Sequence, residues 1–363
     1  MIRNVIVLLT VITLYIPCYS VAESAKGVVV SIKPLHSLVS GVMGDTGEAK
    51  LLLPDNNSPH DIYLKPSQVM LLQDADIIFY IDDKFELFLG NVFNILPEHI
   101  RKVPVMHARG ITILSSRDGD AWDAHLHDDH ASSANEDKHD EHYHDDHASS
   151  ANEDKHDEHY HDDHASSVNE DKHDEHYHDD HASSANEDKH DEHHYDMHVW
   201  LDPYNARKIV NMVKEELSIM YPENRDIYNK NASDTINKID MMDDELKESL
   251  DGLSNKPFIV FHDAYQYFEK AYSLLNVGSV SFDTHESLSP SRIKEVRRRL
   301  IQTDARCVFS EPQFSSGFAI PLIEGTDTKI GELDPIGTGI ENGAGLYFKM
   351  MRNIANNLKK CLR

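Results

Sequence analysis

A unit of 17 residues, DDHASSANEDKHDEHYH, begins at Asp128 and returns at Asp145, at Asp162 with Val168 in place of an alanine, and at Asp179, the last copy ending HHY. That period matches neither helix nor strand, and no copy has enough apolar surface to offset the entropy of ordering it. The segment 123–196 therefore reads as a disordered His/Asp-rich insertion, and the fold must be built from the chain on either side. Eighteen of the 25 histidines lie between His125 and His194. Within the repeats they follow H-x2-H-x-H-x2-H, as in His139, His142, His144 and His147, then His156, His159, His161 and His164, then His173, His176, His178 and His181, and finally His190, His193 and His194. Imidazoles among carboxylates favour a transition-metal cation. The bland alternative is a solvated acidic spacer.

Arg3 followed by an apolar run from Val5 to Ile16 and by Ser20-Val21-Ala22 reads as a signal peptide over residues 1–22, cleaved near Ala22. A soluble exported protein follows; an uncleaved anchor is the alternative, with an apolar run short for a span. Six acids against one lysine in each repeat carry most of the formal charge of −28, so the remaining body is mildly acidic and suits neither nucleic acid nor an anionic membrane. Two cysteines, Cys307 and Cys361, survive cleavage in an oxidising compartment. A bond between them is expected, worth about 4 kcal/mol in the chain-entropy model; two buried thiols are the alternative.

Short β-branched runs alternate with helical patterns, the signature of parallel sheets covered by helices. Strands are expected at 28–32, 50–53, 77–81 and 111–114, with a short strand or loop at 103–105 and helices at 34–42, 66–74 and 83–96. After the insertion, helices are expected from Pro203 to Met220 and from Pro222 to Leu250, the second close to thirty residues without internal proline or glycine. Strands at 258–261, 277–281, 307–310 and 329–333 then alternate with helices at 264–271, 289–303, 317–324 and 344–362. The expectation is α/β, with an N-terminal lobe over 23–221, a rigid linker helix over 222–251 and a C-terminal lobe over 252–363.

Seven histidines lie outside the stretch from His125 to His194. His60, His198 and His262 follow strand or loop signals that put them at sheet ends, where open α/β sheets bind ligands. Three converging imidazoles would suit Zn(II), with a fourth position for water or a carboxylate. Asp334 is the candidate fourth ligand and Glu311 a second; the bland readings are an Asx turn before Pro335 and a hinge-bonding group. His36, His99, His107 and His285 have no such placement. Trp200, Tyr204, Phe261 and Tyr265 are expected to pack around the site.

Several stretches carry a resemblance: Pro59-His-Asp-Ile-Tyr-Leu-Lys-Pro-Ser67, Met197-His-Val-Trp-Leu-Asp-Pro203, Phe261-His-Asp-Ala-Tyr265, Cys307-Val-Phe-Ser-Glu-Pro-Gln-Phe314 and Gly331-Glu-Leu-Asp-Pro-Ile-Gly-Thr338. In these the chain resembles the periplasmic substrate-binding proteins of high-affinity zinc ABC transporters, the ZnuA type of the zinc and manganese binding-protein family. The resemblance implies a zinc carrier, not an enzyme, with the metal histidines at His60, His198 and His262 and the acidic position at Asp334. It also implies an ABC permease with its ATPase subunit as partners, a periplasmic zinc chaperone as a further one, no organic ligand, and a monomer. Manganese members generally carry Glu where this chain has His262, which favours zinc; Pro59 replaces a Glu found in some zinc members, so the fourth ligand stays open between Asp334 and water. The acidic histidine-rich loop has counterparts in the family, and the hypothesis for it is an auxiliary zinc collector, buffer or sensor. Three alternatives remain: a manganese or iron carrier of the same family, a metal-storage protein working through the repeats, and an exported zinc hydrolase, the last without an H-E-x-x-H motif.

Overall fold

A computed structural model describes residues 25, 27–53, 63–117, 122, 195–280, 289–314, 317 and 319–363. The expected signal peptide, the repeats with all their histidines, His60 and His285 lie outside the described residues.

The apolar runs become two parallel sheets. In the first, β1 (Val28–Val30), β2 (Lys50–Leu51), β3 (Ile77–Tyr80) and β4 (Arg101–Pro104) stand in the order β2-β1-β3-β4. In the second, β7 (Phe258–Val260), β8 (Asn276–Ser279), β9 (Cys307–Ser310) and β10 (Lys329–Glu332) stand in the order β10-β9-β7-β8. All of these pairings are parallel. Central strands β1, β3, β7 and β9 are buried throughout, whereas edge strands β2 and β10 are largely exposed. Helices that cover both faces of a parallel sheet leave the central strands no polar side, hence their continuous apolar runs. Each sheet reverses its strand order once, between β1 and β3 and between β7 and β9, and such a switch point opens a crevice beyond the carboxyl ends of the strands.

Proline stands at the start of four of the helices, its fixed φ and missing N–H suiting the first turn. α1 (Lys33–Met43), α2 (Pro66–Gln73), α4 (Pro203–Met220) and α7 (Pro290–Gln302) all begin this way. Asp202 caps α4 by accepting the Tyr204 N–H at 2.8 Å, and Ser289 caps α7 by accepting from Arg292 at 3.2 Å. α6 (Gln266–Tyr272) and α8 (Ala319–Ile323) are shorter than their sequence patterns. The expected helix over 83–96 is a correction: α3 covers only Leu87–Phe93. Residues 82–86 form a turn instead, because Phe85 and Glu86 both donate to the Asp82 carbonyl and the Glu86 carboxylate takes the N–H groups of Ile81 and Asp82.

The long helix α5 (Arg225–Leu250) has 26 residues and starts after a short 3₁₀ turn at Pro222–Asn224. It is packed along its length, burying Tyr228, Ala232, Thr235, Ile239, Met242, Leu246 and Leu250 in one stripe against α1, α4 and α9 (Leu346–Leu362). One apolar core consequently runs from Ala25 to Leu362 and draws on both sheets, with a smaller cluster around Ile259, Val280, Val308 and Leu322. Cys307 and Cys361 are bonded, Cα atoms 6.2 Å apart, tying β9 to α9. Among the described residues no helix is long and apolar enough to cross a membrane.

The expected strand over 111–114 is confined to β5 (Leu114–Ser115), which pairs antiparallel with β6 (Tyr195–Asp196). Tyr195 and Asp196 were counted with the insertion in sequence; they belong to the ordered ribbon at its base, for a reason that the metal centre supplies.

Candidate metal centre

His262 follows β7 and Glu311 follows β9, so both sit at the switch point of the second sheet. His198 follows β6 and leads into α4. These elements bring the two imidazoles together: His198 and His262 are buried, with ring centres 5.0 Å apart and planes inclined at 71°.

Each imidazole has a carboxylate at Nδ1. Asp196 Oδ1 lies 2.8 Å from His198 Nδ1 and also accepts the His198 backbone N–H at 2.9 Å. Glu311 Oε1 stands 3.6 Å from His262 Nδ1 and accepts from the Tyr265 hydroxyl at 3.3 Å. The buried position of Asp196 explains why β6 is ordered: Tyr267 donates to its carbonyl at 2.8 Å and receives the Leu114 N–H at 2.9 Å, locking the ribbon to α6. Asn205 on α4 holds Thr112 through both N–H and carbonyl.

Burial dominates the electrostatics. It pushes the Asp196 carboxyl up to about 7, against the pull of the His198 N–H, Arg117 and His262. His198 is driven well below the ordinary imidazole range, by burial first and then by neighbouring His262. His262 goes the other way: burial opposes its cation, but the bond to Glu311 and its charge outweigh that cost. Glu311 and Asp334 are both raised by burial. Burial thus disfavours charge on Asp196, Glu311, Asp334 and His198 alike, and the neighbouring carboxylate tips only His262 of the two imidazoles towards its cation.

Asp334 follows β10 and its Oδ1 accepts from Ile336 N at 3.1 Å, Gly337 N at 3.0 Å and Gln313 Nε2 at 3.3 Å. This is the Asx turn of the bland reading, and it leaves Asp334 near enough to Glu311 to raise that carboxyl. Phe85 and Trp200 wall the His198 ring at centroid distances of 5.6 and 5.3 Å. Phe261 stacks on Phe314, and Tyr265 reaches Glu311. Tyr204 does not join this shell; it is 43% exposed and lies under Lys208. His36 bonds the Ala49 carbonyl at 2.8 Å and His107 stands 3.8 Å from Asp82. Among the described residues no group of three or more His, Cys, Asp or Glu side chains is arranged to hold a metal ion.

Sequence reasoning missed Asp196 and Arg117. The first was hidden at the end of an acid-rich repeat; the second makes its ion pairs far away in sequence, with Asp263 and Glu269.

The family model for the periplasmic zinc-uptake complex component A, ZnuA, matches residues 28–361. The chain belongs to the ZnuA family. Relatives of ZnuA named high-affinity zinc uptake system protein include that of Brucella abortus (strain 2308), 38% identical over 343 residues, covering 94% of this chain and 93% of its own length. That of Paracoccus denitrificans (strain Pd 1222) is 35% identical over 341 residues, covering 92% and 91%. A crystal structure of ZnuA superposes with a TM-score of 0.66 at 20% identity, over 94% of this chain and 100% of the other. Zn(II)-bound AdcA from Streptococcus pneumoniae gives 0.62 at 19%, over 94% and 58%. At these identities the two structures are likenesses of fold.

Proposed function

We propose that this chain is the periplasmic zinc-capturing component of an ABC importer, binding one Zn(II) through His60, His198 and His262 and delivering it to an inner-membrane permease driven by an ATPase subunit. Its role is binding and delivery, without catalysis. The observation that carries this reading is the His198–His262 pair. Imidazoles that share a tetrahedral Zn(II) at about 2.0–2.1 Å per Zn–N bond have ring centres about 5 Å apart, and the two rings stand 5.0 Å apart. Carboxylates at both Nδ1 atoms leave Nε2 to face the ion and raise its basicity, as outer-shell partners of metal-bound imidazoles do.

The donor chemistry supports zinc over harder ions: imidazole is a borderline donor, whereas manganese and magnesium prefer oxygen. Relatives named for high-affinity zinc uptake support it as well. His60, outside the described residues, is the proposed third ligand and Asp334 or water the fourth. The repeats are proposed as an auxiliary collector that raises the local zinc concentration. Competition against a chelator tests the assignment: the full chain is expected to show one tight site that His262→Ala abolishes, and unchanged tight binding in that variant refutes it.

A further inference from the structure

Arg117 follows the ribbon strand β5, and its guanidinium is largely enclosed, its side chain 18% exposed. It grips two acids of the second half. Nε donates to Asp263 Oδ2 at 3.0 Å and Nη2 to Asp263 Oδ1, while Nη1 donates to Glu269 Oε2 at 2.6 Å and Nη2 to Glu269 Oε1 at 3.4 Å. All four carboxylate oxygens therefore face one cation. Asn276 adds a bond to Glu269 Oε1 at 2.7 Å, and the Trp122 ring lies 3.6 Å from the guanidinium carbon. The two acids hold Arg117 protonated against its burial.

Asp263 directly follows His262, and its charge acts on both His262 and His198. An uncommitted carboxylate there would be an oxygen donor at the metal's edge, and oxygen donors favour manganese and other hard ions over zinc. A planar fork that satisfies both oxygens of a carboxylate removes that donor in a way that a lysine's point charge does not. We propose that Arg117 is a specificity-determining residue: by holding Asp263, with Glu269 fixing the other side of its guanidinium, it withholds the Asp263 oxygens from the ion and keeps the donor set rich in imidazole. The inference rests on the reading of His198 and His262 as ligands.

Its electrostatic sign makes it testable. Arg117 is a cation near a cation site, so removing it tightens the binding of every ion if charge alone matters, whereas withheld donors predict a change in preference. In the full-length mature protein, zinc and manganese affinities of the tight site are measured by chelator competition. Arg117→Met is expected to lower the zinc-over-manganese preference about 10- to 100-fold, the size of outer-shell effects, and Arg117→Met with Asp263→Asn is expected to restore it. An unmoved preference in Arg117→Met, or the same fall in the double variant, overturns the inference. If thermal melting shows that Arg117→Met does not fold, Arg117→Lys takes its place, with an intermediate preference expected and an unmoved one contradicting. His262→Ala separates the two readings: loss of tight zinc there with an unmoved preference in Arg117→Met refutes only the role of Arg117, whereas retained tight zinc in His262→Ala refutes the site itself.

Discussion

Asp196 and Glu86 show how single carboxyls position the proposed ligands. Asp196 fixes the His198 ring through Nδ1 and the backbone together. Asp196→Asn keeps the shape and loses the acceptor charge, so the zinc affinity of the tight site is expected to fall about 10- to 100-fold; a chelator competition with unchanged affinity would remove Asp196 from the site. Glu86 anchors the turn that carries Phe85 to the His198 ring, and burial raises its carboxyl to about 8 from an ordinary 4.5. The folded protein thus holds a proton that the unfolded chain has released between those values, so the contribution of Glu86 to stability is full below about 4.5 and is lost as pH rises towards 8. Denaturant melts are expected to weaken over that window by on the order of a few kcal/mol in the wild type, and Glu86→Gln is expected to flatten the slope; an identical slope in the variant contradicts the assignment. At this scale His198 and His262 were legible because each ends a strand or loop motif. Asp196 and Arg117 were not, since one is indistinguishable in sequence from the acids of the repeat and the other acts through partners on α6 and beyond β7.

The elements were legible wherever a physical signal was local. Proline and a short polar cap marked the starts of α4 and α7, and the continuous apolar runs marked the central strands. Signals failed where a side chain redirected the backbone: Glu86 replaced the first turn of the expected 83–96 helix with a bonded turn. The two-residue strands β5 and β6 are too short for any periodicity, and tertiary bonds from Tyr267 hold them. The disulfide belongs to this scale, because it joins the central strand that leads to Glu311 to the last helix. Cys307→Ser with Cys361→Ser is expected to lower stability by about 2–5 kcal/mol, read as a lower midpoint in denaturant; an unchanged midpoint would show that the core alone fixes α9.

Across the whole molecule, the two halves are bonded as well as packed. Lys33 donates to the Ile340 carbonyl at 2.7 Å, Trp200 Nε1 to the Pro335 carbonyl at 2.8 Å, and the Tyr347 hydroxyl to the Trp200 carbonyl at 2.9 Å. With α5 buried along one stripe between them, these bonds favour small adjustments over wide hinge closure, so release is expected to require distortion of the site by the permease. The repeats are proposed as a second tier. Removing residues 128–194, which spares Tyr195 and Asp196 of β6, is expected to lower zinc stoichiometry and leave one tight site; loss of all zinc would favour storage by the repeats alone. Solvated imidazoles titrate near 6.5, so mild acid should empty the repeats before the buried site, and simultaneous release contradicts two tiers. The most direct measurement is a zinc-anomalous crystal structure of the repeat-deleted protein with one equivalent of Zn(II). The account predicts a single peak about 2.0–2.1 Å from nitrogens of His60, His198 and His262; a peak bonded to neither His198 nor His262 would contradict it.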